Sequence, residues 1–182
     1  MGKSIGMIEY TTVSAGIKAV DTMVKTSAVE VIEAQVVCPG KYIALISGEL
    51  SAVKAAVEAS VSLCGNKLID KFVLGNPHEA IFPAIYGTTQ VENPRALGVC
   101  ETYSAASIIV AADVAAKTAM VDLIELRIAR GMCGKSYMLI TGEVAAVEAA
   151  IEKVKKDLAE TGMFLDSEVI ASPDMKIWKT IL

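Results

Sequence analysis

The stretch Gly6-Met7-Ile8-Glu9 returns 92 positions later as Gly98-Val99-Cys100-Glu101. The same offset relates two further pairs of residues: Asp21 and Asp113, and Lys25 and Lys117. Later in each copy the offset is 94, in two further matches: Gly40-Lys41 with Gly134-Lys135, and Gly48-Glu49 with Gly142-Glu143. The repeat predicts two domains of about 90 residues, a size that supports its own hydrophobic core.

The offset changes inside one loop, and this loop is where the copies differ most in chemistry. The first copy reads Cys38-Pro39-Gly40-Lys41, whereas the second reads Arg130-Gly131-Met132-Cys133-Gly134-Lys135 and is two residues longer. Because the rest of the scaffold is repeated, we expect a functional difference between the copies to lie in this loop.

The composition narrows the classes of protein. The chain is 53% apolar but only 5% aromatic, with a mean hydropathy of +0.50, which is more Ala, Val and Ile than two small cores need. This excess predicts large protein interfaces and an oligomer. No apolar run reaches the roughly 18 residues of a membrane span, so we expect a cytosolic protein without a membrane partner. A net charge of −4 with scattered lysines argues against a nucleic-acid partner.

The ionisable residues predict neither an enzyme nor a metal site within one chain. The four cysteines form no Cys-x-x-Cys pair, and there is one histidine, His78. Cys64 and Cys100 fall at a helix end and in a strand, where burial is expected. Glu9 and Glu101 occupy equivalent strands of separate copies, so we expect structural roles for them. No nucleophile with a base and an orienting group is evident, so no enzyme is predicted.

Each copy predicts the order β-α-β-β-α-β, which is the split βαβ, ferredoxin-like arrangement of the α+β class. In the first copy, alternation and helical spacing place strands at Ser4–Tyr10, Val29–Val37, Tyr42–Ser47 and Leu68–Leu74, with helices after Thr11–Ser14 and at Ser51–Leu63. The predicted domains are residues 4–78 and 95–182, joined by a packed linker at residues 79–94.

These features resemble bacterial microcompartment (BMC) shell domains. The resemblance rests on the opening strands, on Ala19–Lys25 and Ala112–Lys117 in the first helices, and on Ser47-Gly48-Glu49 and Thr141-Gly142-Glu143. It spans nearly the whole chain and implies a tandem, unpermuted shell protein whose homotrimer is pseudohexameric. It also implies a location in the microcompartment shell, with other shell tiles and encapsulated oxidoreductases as partners.

In this family the turn between the second and third strands lines the central pore. Here the resemblance gives the pore loops to Cys38, Pro39, Gly40 and Lys41 in the first copy, and to Met132, Cys133 and Gly134 in the second. The Cys-Pro-Gly-Lys turn resembles tandem shell proteins of propanediol-utilisation compartments, which hold an iron–sulfur cluster at the pore. The implied cofactor is one 4Fe-4S cluster per trimer, with Cys38 of three chains as metal ligand and Cys133 as a second candidate. Electron transfer across the shell is the implied role, with Lys41 offsetting part of the cluster's negative charge.

The resemblance further assigns Lys25, Lys117 and His78 to the edge where tiles meet. Two alternatives stay open. One is a metal-free tile whose pore passes a small polar metabolite, with Cys38 as an inert lining residue. The other is a small-molecule-binding sensor built on a ferredoxin-like dimer.

Overall fold

A computed structural model of the chain describes residues 4–182. The first copy consists of β1 (Ser4–Tyr10), α1 (Val13–Thr26), β2 (Val29–Val37), β3 (Lys41–Gly48), α2 (Leu50–Cys64), a 3-10 turn (Gly65–Lys67) and β4 (Leu68–Leu74). A short helix, α3 (Ile81–Tyr86), lies in the segment between the copies. The second copy consists of β5 (Ala96–Thr102), α4 (Ala105–Thr118), β6 (Val121–Arg127), β7 (Ser136–Gly142), α5 (Val144–Leu158) and β8 (Phe164–Ile170). A last helix, α6 (Met175–Ile181), follows.

The predicted element order and the α+β class are confirmed. β1, β2 and β4 begin and end at the predicted residues, and β3 is longer by one residue at each end. Of the predicted capping residues Thr11–Ser14, Thr12 caps α1, with its Oγ1 accepting a hydrogen bond from the Ala15 N–H at 3.4 Å. The helix begins at Val13, within the segment that was expected to precede it. Helix α6 was not expected from the sequence.

Each copy forms a four-stranded antiparallel sheet, in the order β2-β3-β1-β4 and β6-β7-β5-β8. The registers correspond, since Gly6 pairs with Ile46 and Gly98 pairs with Ile140. Both sheets also carry a register shift near the end of the central strand, at Glu9/Tyr10 and at Glu101/Thr102. The repeat seen in the sequence is therefore a repeat in three dimensions, including its irregularities.

The repeated glycine of the opening strand permits close packing of a helix on the sheet. A Cβ atom at Gly6 would lie 2.7 Å from Val53 Cγ1 of α2, and one at Gly98 would lie 2.7 Å from Val147 Cγ1 of α5. Distances this short do not occur between real side chains, so α2 and α5 approach their central strands only because these positions lack a side chain.

Helix α6 adds a second layer to the second sheet. Trp178 is buried and forms an apolar cluster with Leu97, Ile124 and Leu139. Neighbouring residues of a strand face opposite sides of a sheet. Leu97 therefore faces away from Gly98 and α5, and α6 covers the face of this sheet that α5 leaves open.

The chain forms two compact units that do not follow the halves of the sequence. The first unit contains the residues up to Pro77 together with Ser104–Ala106 and Ala129–Gly134. The second contains His78–Tyr103, Ser107–Ile128 and Lys135–Leu182. None of the helices within residues 4–182 is both long enough and apolar enough to cross a membrane.

Candidate functional site

The Cys38-Pro39-Gly40 loop joins β2 to β3 as a tight turn. The Gly40 N–H donates to Val37 O at 2.8 Å, and Gly40 has φ +105, a conformation that favours glycine. The Cys38–Pro39 peptide bond is cis. The buried Val37 ends the strand, whereas Cys38, Pro39 and Gly40 are all exposed. The turn therefore holds the Cys38 thiol at the protein surface.

The longer loop of the second copy belongs to the same compact unit. The Cys38 N–H donates to Ala129 O at 3.2 Å, which ties the two loops together. Ala129 and Cys133 adopt left-handed backbone conformations, with φ of 56 and 51. Such a conformation costs a non-glycine residue roughly 1–2 kcal/mol, so surrounding contacts must hold it in place. Cys133 is exposed, as Cys38 is.

Cys38 lines an open depression in this unit. Its walls are formed by residues 35–40 together with Arg130 and Gly131. Below the loop, Glu33 accepts hydrogen bonds from Arg130 Nη2 and from Gln35 Nε2 on one carboxylate oxygen. Its second oxygen is buried without a hydrogen-bond partner in the described part of the chain. The charge of Arg130 is therefore balanced locally by Glu33.

Lys41, expected to offset the charge of a cluster, has a different partner in the structure. Its Nζ donates to Glu9 Oε1 at 2.8 Å and to Gly134 O at 3.2 Å. Glu9 is completely buried, and its Oε2 accepts the Ala105 N–H at 2.8 Å and the Ala106 N–H at 3.4 Å. Glu9 thus caps the first turn of α4 and neutralises Lys41. Lys41 anchors the base of both loops.

The residues assigned to a tile edge are all paired within the chain. Lys25 forms an exposed ion pair with Asp21 at 2.7 Å, and Lys117 forms an ion pair at 2.7 Å with the buried Asp113. Asp113 Oδ1 also accepts the His78 N–H at 2.8 Å, and His78 Nδ1 accepts the Ala80 N–H at 3.3 Å. His78 therefore orders the chain just before α3, and its role at an edge stays a prediction.

The remaining cysteines are buried, as predicted, in α2 for Cys64 and in β5 for Cys100. Burial raises the pKa of the Cys100 thiol to about 12, with the negative charge of Glu101 as the second cause. Among residues 4–182 no group of three or more His, Cys, Asp or Glu side chains is placed to hold a metal ion.

Sequence reasoning found the loops but missed the polar contacts beneath them. The Glu9–Lys41 pair and the Glu33–Arg130 pair each join residues far apart in the sequence. A usable signal for the first pair was present, because a glutamate inside an apolar strand and a lysine at the start of a later strand recur together in both copies.

The family model of the BMC domain matches residues 4–77 and 96–173. The chain belongs to the bacterial microcompartment shell proteins. It carries two BMC domains in tandem, so the family expected from the sequence is confirmed, and it is a structural component of a microcompartment shell.

Some relatives match the whole chain, and others match about half of it. The bacterial microcompartment shell protein PduT of Citrobacter freundii is 35% identical over 182 residues, which is 100% of this chain and 99% of that protein. A crystal structure of a microcompartment protein from Desulfitobacterium hafniense DCB has 43% identity and a TM-score of 0.84, covering 97% of this chain and 98% of that one. The carboxysome shell protein CsoS1 of Parasynechococcus marenigrum is 35% identical over 88 residues, which is 47% of this chain and 85% of CsoS1.

Proposed function

We propose that this BMC shell protein forms a trimeric tile, and that Cys38 of three chains holds a 4Fe-4S cluster at the central pore for electron transfer across the shell. The observation that carries the proposal is the exposed Cys38 thiol in the β2–β3 turn. By resemblance, this is the turn that lines the pore of such tiles. Similarity over the full length to a PduT shell protein supports the assignment to this type.

The number of available thiols supports a shared site rather than a site within one chain. Iron–sulfur clusters are held by cysteine thiolates, usually four of them. One chain exposes two cysteines, Cys38 and Cys133, and buries the other two. A threefold axis would bring three Cys38 thiolates together for three irons and leave the fourth iron to a ligand other than Cys38.

The surroundings of Cys38 fit a compact inorganic group. Pro39 contributes no N–H donor, and apart from the two residues next to Gly40 in the chain no atom lies within 4 Å of the position that a Gly40 Cβ would take. The turn therefore leaves space beside Gly40, two residues from Cys38. The nearby cations Lys41 and Arg130 are paired with Glu9 and Glu33, so they add little net charge at the loop. A bound cluster would supply one-electron chemistry, and this chain's own contribution would be the three thiolates and the turn that exposes them.

The test is purification without oxygen, followed by iron and sulfide analysis and by electron paramagnetic resonance after reduction. We expect about four irons per three chains and a cluster signal, both lost in Cys38→Ser. Cys133→Ser is the matched control, because it removes the other exposed thiol of the same unit. Retention of iron and signal in Cys133→Ser would identify Cys38 as the ligand.

Two results would favour the alternatives. A trimer that contains neither iron nor sulfide would be a metal-free tile that passes a small polar metabolite, with Cys38 lining the opening. A chain that stays monomeric or dimeric when its mass is measured in solution would favour the small-molecule-binding sensor.

A further inference from the structure

The first compact unit is completed by two segments from the second copy, Ser104–Ala106 and Ala129–Gly134. Glu9 accepts the first two amides of α4, and Lys41 joins Glu9 to the carbonyl oxygen of Gly134. The side chain of Glu9 is 0% exposed and that of Lys41 is 17% exposed. Glu9 and Lys41 therefore connect the first copy to the start of α4 and to the carbonyl oxygen of Gly134.

The second copy repeats this glutamate and this lysine, but there neither side chain has a partner among the described residues. Glu101 and Lys135 are the counterparts of Glu9 and Lys41. Glu101 is half-buried, Lys135 is exposed, and neither side chain forms a hydrogen bond or ion pair with any residue from 4 to 182. The second unit contains no segment equivalent to Ser104–Ala106, because the matching residues Thr12–Ser14 belong to the first unit.

The first copy likewise repeats the helix start that donates the N–H groups, but there these groups have no acceptor in the described part of the chain. Val13 and Ser14 begin α1 as Ala105 and Ala106 begin α4. The first amides of a helix have no partner within the helix. The N–H groups of these two residues have no other acceptor within the described range either. Val13 is half-buried and Ser14 is exposed, whereas Ala105 and Ala106 are fully buried.

Apolar residues near the open α1 show the same asymmetry. Ile17 in α1 is 54% exposed, and its counterpart Ile109 in α4 is 0% exposed. Val36 in β2 is 55% exposed, and its counterpart Ile128 is 2% exposed. Because the two copies share one fold, this exposure is not required by the domain itself. Exposed apolar surface of this kind is typical of a face that another protein contacts.

We propose that Glu101 binds the start of α1 in a second copy of this chain, by accepting the N–H groups of Val13 and Ser14 of the partner subunit. Lys135 joins Glu101 to the carbonyl oxygen of the partner subunit's Gly40, as Lys41 joins Glu9 to Gly134. The contact is head-to-tail, and its repetition gives a ring where the rotation between neighbouring subunits closes, as it would about the threefold axis of the proposed tile. It rests on the assembly half of the proposed function and does not depend on the cluster.

Two variants test the contact from its two sides. Glu101→Ala removes the acceptor without removing any hydrogen bond or ion pair within the described part of the chain. Val13→Pro removes one donated N–H at the first helical position, where proline is well tolerated and where Thr12 already has the extended backbone that precedes proline. We expect each variant to weaken self-association by about tenfold to a hundredfold in dilution experiments followed by analytical ultracentrifugation.

A matched control separates the contact from a general effect of proline. Val144 begins α5, follows the extended Glu143 and is half-buried, as Val13 is, so Val144→Pro makes the same change at a helix start to which no partner is assigned. We expect wild-type association for Val144→Pro, and similar circular dichroism spectra for all variants.

The double variant decides whether Glu101 and Val13 meet. If they do, Glu101→Ala with Val13→Pro weakens association less than the product of the single effects, because both remove one contact. Independent effects, or equal effects of Val13→Pro and Val144→Pro, would overturn the inference. If the two substitutions are coupled but the assembled protein contains no iron, the cluster proposal is refuted and this contact is kept. A wild-type chain that is monomeric at every concentration would refute both.

Discussion

The Lys41 ammonium nitrogen lies 2.8 Å from the carboxylate of Glu9, a side chain with no exposed surface. Removing one member of a buried ion pair leaves the other charge without compensation in a poorly solvated site. We therefore predict that Lys41→Met lowers the free energy of unfolding by about 3 kcal/mol, measured by denaturant titration of dilute protein. Lys54→Met is the control, since Lys54 in α2 is exposed and forms no hydrogen bond or ion pair with any residue from 4 to 182, and we expect a change within about 0.5 kcal/mol. Equal losses in both variants would contradict the role given to Glu9.

Gly98 sets the distance between α5 and the second sheet. A Cβ there would lie 2.7 Å from Val147 Cγ1 and 2.7 Å from Ile140 Cγ1, so Gly98→Ala forces the packed layers apart. We expect a loss of stability of about 1–3 kcal/mol in thermal or denaturant unfolding. Gly65→Ala is the comparison, because Gly65 has helical dihedrals and its added Cβ would lie 3.8 Å from Val61 Cγ1. That variant should be neutral or slightly more stable.

Trp178 is the anchor of α6 on the second sheet. Its side chain is buried against Leu97, Ile124 and Leu139, so Trp178→Ala should cost about 3–5 kcal/mol of stability. Met175 lies in the same helix but is largely exposed, and Met175→Ala should change stability by less than about 0.5 kcal/mol. Denaturant unfolding monitored by circular dichroism distinguishes the two. A small effect of Trp178→Ala would show that α6 is dispensable for this domain.

Cys100 should make the fold sensitive to alkaline pH. Its pKa rises from an ordinary 9.0 to about 12 in the folded chain, mainly through burial. Unfolded protein therefore loses this proton first as the pH rises, and stability present below pH 9 declines by up to about 1.4 kcal/mol per pH unit above it. Cys100→Val should give a flatter stability curve between about pH 9 and 9.5, where tyrosines with an ordinary pKa of about 10 are still mostly protonated. Parallel curves for wild type and variant would refute this.

Regular elements were predictable because each depends on local pattern. The alternation in Ser4–Tyr10 and Val29–Val37 defines strands, and the internal repeat allowed each element to be identified twice. Helix α6 was missed because seven residues give a weak periodic signal, although Asp174 before it is a recognisable capping residue that accepts the Lys176 N–H at 2.8 Å.

The site was predictable only in part, because only its turn depends on local sequence. A turn containing proline and glycine places Cys38 at the surface, and the structure does so. The partner of Lys41 was not predictable from the turn, because Glu9 lies on another strand and the amides it caps lie in the other copy. Contacts of this kind depend on the tertiary arrangement. Whether Cys38 binds a cluster stays a prediction.

The two extra residues in the second β–β loop leave the pairing of the central strand unchanged, since Gly98 pairs with Ile140 as Gly6 pairs with Ile46. The β6–β7 ladder ends at Arg127 and Tyr137, whereas the β2–β3 ladder runs on to Val37 and Lys41. The difference in length is therefore absorbed by the loop and by the end of the adjoining ladder, and the pairing of the central strand stays the same. In such a scaffold, the strand pairing that keeps the domain folded is separate from the residues that the loop exposes. For protein engineers, the place to graft new sequences is accordingly Gly131-Met132, which lies between the contacts that Arg130 and Gly134 make with the first copy.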